Sequence, residues 1–151
     1  MAAVEDKPDG ALQWSDLLLL GNERMDATHR EFVEVVSRLQ TAADGELDAC
    51  LRDVVAHLER HFREEDDWMR ETAYPAADCH AAEHAAVLAS GRDVSAALQR
   101  GDTALCRRYA QELASWFPGH ADYLDAPLSQ WLSRQRFGAA PIVLKRRASA
   151  G

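Results

Sequence analysis

His61-Phe62-Arg63-Glu64-Glu65 sits in a run whose apolar residues return at helical spacing: Leu47, Leu51, Val54, Leu58, Phe62, then Trp68 and Met69. His61 and Glu65 are four residues apart, which stacks their side chains on one helix face, on or beside that apolar stripe. Burying an ionised group without a partner costs several kcal/mol or more. A helix core holds such a pair only if something satisfies it, and a metal ion would. The neighbouring segments then decide whether matching groups converge on the same place.

Working outward, a first helix is expected over residues 25–42, with Met25, His29, Phe32, Val36 and Leu39 facing inward. Asp44-Gly45 reads as a turn, with Asp44 placed to cap a second helix over residues 46–71. Tyr74-Pro75 ends that helix, because proline has no amide hydrogen for the ladder. A third helix starts near Asp78, a good cap residue, and its stripe reads His80, His84, Leu88, Gly91, Val94 or Ser95, and Leu98. Gly101-Asp102 stops it and opens a fourth from about residue 103, with Leu105, Tyr109, Leu113, Trp116 and His120 inward. The pattern resumes beyond Pro118-Gly119 with Tyr123, Leu124, Leu128, Trp131 and Leu132. The expected fold class is all-α: an antiparallel, up-down-up-down four-helix bundle over residues 25–133. Residues 1–24 are expected to form an N-terminal arm packed through Trp14, and residues 134–151 a loose tail.

Composition narrows the function. The 151 residues, 47 % apolar and 28 % charged, suit one soluble domain with a sizeable core. A net charge of −8 argues against nucleic acid, and Lys145-Arg146-Arg147 is too short a basic cluster to reverse that. Leu17 to Leu20 is far too short to span a bilayer, so no membrane association is expected. Cys50, Cys79 and Cys106 are odd in number and widely spaced, which suits reduced thiols and a cytoplasmic setting. No secretory signal is legible in residues 1–10.

The polar intruders on the inward stripes are His29, His61 with Glu65, His80 with His84, and His120, followed by Asp125. Any one of these alone is ordinarily a hydrogen-bonded core residue or part of a solvated face. Five imidazoles and two carboxylates drawn from four helices are harder to accommodate unless they neutralise one another or bind cations. They exceed the needs of one tetrahedral zinc and suit two ions sharing carboxylates. Mixed imidazole and carboxylate donors favour iron, manganese or zinc over calcium.

The chain resembles the bacterial hemerythrin-like family. The matching motifs are Asp26-Ala-Thr-His29, His61-Phe-Arg-Glu-Glu65 followed by Met69, Tyr74-Pro75, His80-Ala-Ala-Glu-His84, and Trp116 with His120 and Asp125, spanning about residues 14–132. The resemblance implies two iron ions, with His80, His84 and His120 on one, and His29 and His61 on the other. Glu65 and Asp125 would bridge both, together with an oxo or hydroxo group. It implies reversible dioxygen binding as carrier, store or buffer. A di-iron sensor of dioxygen, nitric oxide or redox state, or a peroxidase or oxidase, is the alternative. It leaves the protein partner open and allows a monomer. The dioxygen pocket is expected from Phe32, Phe62, Leu113 and Trp116, which share faces with the ligand positions. Where the family commonly runs unbroken before the bridging aspartate, this chain has Pro118-Gly119. His57, one turn before His61, reads as a surface residue, as do Asp66 and Asp67.

One spacing resists a regular helix. His120 and Asp125 are five residues apart, roughly 140° around an α-helix, yet both are expected at one metal pair. A kink or a wide turn of the π type is therefore expected between about residues 116 and 125.

Overall fold

The computed structural model describes residues 10–137. The remainder of the expected arm, residues 1–9, and of the expected tail, residues 138–151, lie outside the described residues. The helices are α1 (Glu23–Thr41), α2 (Leu47–Glu71), α3 (Ala77–Gln99), α4 (Thr103–His120) and α5 (Ala126–Phe137), with a π-helical turn (Ala121–Asp125) joining the last two into one rod. α1 packs on α2, α2 on α3, α3 on α4, and α4 returns to α1, which closes a four-helix bundle. Short connections force neighbouring rods to run antiparallel.

The helix ends follow local chemistry, not always the residues expected. Asn22 caps α1 by accepting from the Met25 amide at 3.0 Å, and Asp102 caps α4 by accepting from Leu105 at 3.0 Å. Asp44 does not cap α2. It lies in a short 3-10 turn (Asp44–Glu46) and pairs with Arg107, while Glu46 accepts from the Ala43 amide. Asp78 does not cap α3 either, because the helix begins at Ala77 and places Asp78 in its first turn. There a carboxylate still favours the helix dipole. α2 stops when Ala73 turns left-handed at φ 53°, letting the Tyr74 amide reach back to the Met69 carbonyl at 2.9 Å. α5 carries residues 134–137, where the loose tail was expected to begin.

The N-terminal segment is tied down by side chains. The Asp26 carboxylate accepts from the Leu20 and Gly21 amides at 2.8 and 3.2 Å, and Ser129 donates to the Leu20 carbonyl at 3.1 Å. Trp14 packs against the core, with the Arg30 guanidinium 4.7 Å above its ring.

The core is split along the bundle. One apolar segment gathers Phe32, Val36, Leu51, Leu58, Leu113 and Phe117 with their neighbours. A smaller one gathers Met25, Met69 and Leu128, flanked by Trp68, Tyr74 and Trp131. Between them on α1, α2 and the fourth rod fall His29, Glu65 and Asp125, all fully buried. The stripes are thus continuous in burial but interrupted in polarity at one level.

α3 and α4 approach closely at Gly91. A Cβ there would meet the Tyr109 hydroxyl at 2.8 Å and Val55 Cγ2 at 3.3 Å. The Tyr109 hydroxyl donates to the Val87 carbonyl at 2.9 Å, and burial raises its pKa. Alanine gains up to about 1 kcal/mol in helix propensity over glycine, but overpacking costs roughly 1–3 kcal/mol. Gly91→Ala is expected to destabilise the chain by about 1–2 kcal/mol in urea unfolding. Most of that loss should vanish in a Tyr109→Phe background, and strictly additive changes would contradict the clash.

Candidate metal centre

The four rods bring all seven expected residues together. His29 comes from α1, His61 and Glu65 from α2, His80 and His84 from α3, His120 from the end of α4, and Asp125 from the π turn. Every one is buried. Glu64, the neighbouring alternative to Glu65, points outward to Arg24.

The histidines all present Nε2, and each carboxylate divides its two oxygens between two sets of rings. Glu65 Oε2 faces His61 at 2.8 Å and His29 at 3.7 Å, while Oε1 faces His84 at 3.3 Å and His80 at 3.5 Å. Asp125 Oδ2 faces His29 at 3.1 Å, while Oδ1 faces His80 at 3.0 Å and His120 at 3.2 Å. One atom each from Glu65, His80, His84, His120 and Asp125 lies within 4.8 Å of the others, and the same holds for His29, His61 and Glu65.

The donor set fits a cation by what it leaves unsatisfied. His29 Nε2, His80 Nε2, Glu65 Oε1 and both Asp125 oxygens are buried, close together, and without a hydrogen bond of proper alignment. Buried polar atoms are ordinarily paired, and lone pairs converging on one space are what an ion requires.

The wide turn answers the spacing problem. The Ala126 amide bonds the Ala121 carbonyl, five residues back, which is the π pattern. The added residue per turn carries Asp125 round to the face of His120, and their side chains meet at 3.2 Å. Pro118 stays within α4, three residues before the turn begins.

In the absence of a cation the histidines and carboxylates of the cluster stabilise one another's charged forms. Burial alone would lower His29 and His80, but close contact with Asp125 and Glu65 outweighs it and raises both to about 9. Burial alone would raise the carboxyls. For Glu65, the His61 charge and contacts with His29, His61 and His80 prevail and hold it well below its ordinary value. Burial and the Glu65 charge both push Asp125 up, and contacts with His120, His29 and His80 overcome them, leaving it low.

A second tier of contacts orients the rings. His84 Nδ1 meets Asp66 Oδ1 at 2.8 Å, so Asp66 is not the merely solvated residue expected of it. His120 Nδ1 meets Glu83 Oε1 at 3.1 Å, and Trp116 Nε1 donates to the same oxygen at 2.7 Å. Glu83 escaped the sequence reading; its place next to His84, one position off the stripe, was the available signal.

Aromatic rings wall the centre. Phe62 stacks on His84 at 4.0 Å, Trp116 stacks on His120 at 4.3 Å, and Phe32 lies 4.5 Å from Phe117. Phe117 also meets His29 at 5.1 Å, which adds a ring to the expected four residues, and Leu113 is buried in the adjoining apolar segment. His57, expected at the surface, is only 3 % exposed. Its ring meets His61 at 5.4 Å and Phe32 at 6.1 Å. Burial, helped by the charges of His61 and Arg60, lowers its pKa to about 3.

The comparisons with known proteins agree with this geometry. The family model described as hemerythrin HHE cation binding domain matches residues 20–131. A bacteriohemerythrin of Ralstonia nicotianae is 37 % identical over 124 residues, covering 82 % of this chain and 90 % of that protein. A bacteriohemerythrin of Stenotrophomonas maltophilia is 28 % identical over 144 residues, covering 84 % of this chain and 90 % of its own length. One from Campylobacter jejuni is 27 % identical over 77 residues, 48 % of this chain and 58 % of that one. No solved structure matches the chain. With a buried histidine and carboxylate cluster suited to iron, and a family match across most of its length, this chain belongs to the hemerythrin family.

Proposed function

We propose that the bundle, residues 25–133, binds two iron ions and uses them to bind dioxygen reversibly, as a carrier, store or buffer in the cytoplasm. The observation that carries this reading is the division of oxygens: Glu65 and Asp125 each address histidines of both sets. Such carboxylates suit a pair of ions better than a single one. His80, His84 and His120 would hold one iron and His29 and His61 the other, with Glu65 and Asp125 shared. The shorter histidine set leaves room for an exogenous ligand on the His29 and His61 side.

The iron pair, when bound, supplies the electrons that dioxygen takes up on binding and gives back on release. The chain's own side chains do the rest. Asp66 and Glu83 fix His84 and His120 through Nδ1, which sets ring orientation and raises their donor strength. Phe32, Phe62, Leu113, Trp116 and Phe117 line or back the pocket and exclude water, which keeps protons from a bound ligand. The three cysteines are free and enter neither ligand group.

Three outcomes are expected. Iron-reconstituted protein should hold about two irons per chain, and Glu65→Ala should lose at least one of them with the loss of the shared carboxylate; metal analysis decides, and a chain that never exceeds one iron refutes the pair. Removing dioxygen from the oxygenated protein should return it unchanged, without consumption of reductant or peroxide, as followed by optical spectra. Turnover would instead assign an enzyme.

The third outcome concerns protons. His29 and His80, raised to about 9, are protonated at pH 7 in the metal-free chain and must be neutral to bind metal. His84 is raised as well, so loading ferrous iron near neutrality should release at least the two protons of His29 and His80, falling toward none above about pH 10. Apparent iron affinity should rise with pH up to about 9. Calorimetry in buffers of different ionisation enthalpy measures the release.

A further inference from the structure

We infer that His57 is a hydrogen-bond donor, through Nε2–H, to a small exogenous ligand held on the His29 and His61 side of the centre. The inference rests on the di-iron reading and concerns a residue outside the seven metal-binding positions.

The geometry is specific. His57 lies at the inner wall of a surface cleft of about 440 Å³ between α1 and α2, which Glu31, Val35, Ala56 and Arg60 also line. Its other contacts are with Phe32 and His61, so the ring separates that cleft from the interior. Arg60 Nη2 approaches His57 Nδ1 at 3.3 Å. A guanidinium can only donate, so Nδ1 accepts, and the proton of the neutral ring resides on Nε2. Nε2 occupies the far side of the five-membered ring from Nδ1, away from Arg60. It is buried and has no hydrogen-bond partner.

An orphaned buried donor is costly, and native structures seldom keep one without use. The other unpartnered buried side-chain atoms among the described residues all belong to the proposed metal ligands. Unlike the unpartnered Nδ1 atoms of His29, His61 and His80, whose rings offer Nε2 to an ion, His57 Nε2 belongs to a ring outside the ligand set. His57 packs against His61, one of the two histidines on the side with the open position, and against Phe32, whose partner Phe117 meets His29. An acceptor arriving there, such as an anion or reduced dioxygen, completes the bond. The chemistry required is a compact ligand with an electron-rich terminal atom, and azide is its simplest probe.

The test uses the full chain. In the metal-free protein, nitrogen-15 NMR of the His57 ring should show hydrogen on Nε2 and a bare Nδ1; the opposite tautomer overturns the inference without reference to iron. In the oxidised, iron-loaded protein, azide is titrated into wild type, His57→Leu and His57→Gln. Iron content should remain unchanged in both variants. His57→Leu should weaken azide about tenfold, as expected for losing a hydrogen bond to a charged acceptor, and shift the infrared stretching band of bound azide. His57→Gln, which restores a donor, should recover part of both. Equal affinities and an unmoved band in a loaded protein overturn the inference and leave the di-iron reading standing. Loss of iron from both variants also overturns it, by making His57 a ligand or a structural prop. A wild-type chain that binds no iron overturns both.

Discussion

Glu65 and Asp125 are carboxylates withdrawn almost wholly from water, 1 % and 0 % exposed, and held by contact with five buried imidazoles. Neither group is tolerable there alone, because an unpaired buried charge is among the costliest things a core can contain. Together they are tolerable: the carboxylates are held low by the imidazoles, and His29, His80 and His84 are held high by the carboxylates. The same atoms that exchange protons in the metal-free chain are the ones a cation would claim. This couples folding, protonation and metal binding at one level of the bundle. It also fixes how the four rods sit, since each must present its polar residue at the same height.

The centre is not symmetric. On the α3 and α4 side, His84 and His120 lean on Asp66 and Glu83, carboxylates that reach partial exposure. On the α1 and α2 side, the Nδ1 atoms of His29 and His61 have no partner, as also His80 Nδ1 on α3, and the surroundings are Phe32, Phe117 and His57. One half is anchored and in contact with solvent through its carboxylates. The other is enclosed and less tethered.

Much of this was legible in the sequence, because periodicity reports faces. His29, His61, Glu65, His80, His84 and His120 fall on apolar stripes, and spacing alone places them inward. Even the distortion at Asp125 could be read, from the conflict between a five-residue step and a 100° rotation per residue. What failed were the residues at the margin of a stripe. His57, an additional histidine one turn before His61, reads as a surface residue yet is buried on the α2 inner face. Asp66 and Glu83 sit one position off the stripe, where a side chain can equally enter water or curl back to a buried ring. That choice depends on the rod opposite, which single-sequence patterns do not contain. Asp44 and Asp78 failed as caps for a related reason: the first was taken by Arg107 across the bundle, and the second was overtaken by a helix that already begins at Ala77.

The π turn at Ala121–Asp125 sets a limit on the length of the fourth rod as well as its geometry. A π turn is an α-helix with one residue more than its period allows, looped out while the ladder continues on either side. Delete one residue there and α5 would advance by about 100° relative to α4, carrying Leu128 off the interior it now shares with Met25 and Met69. The fourth rod thus consists of two helical phases spliced together, one that aims Phe117 and His120 and another that aims Asp125 and Leu128. A residue added to or removed from the rod between His120 and Leu128 would therefore misdirect one phase or the other, whereas a change in length at either end of the rod would leave both aims intact.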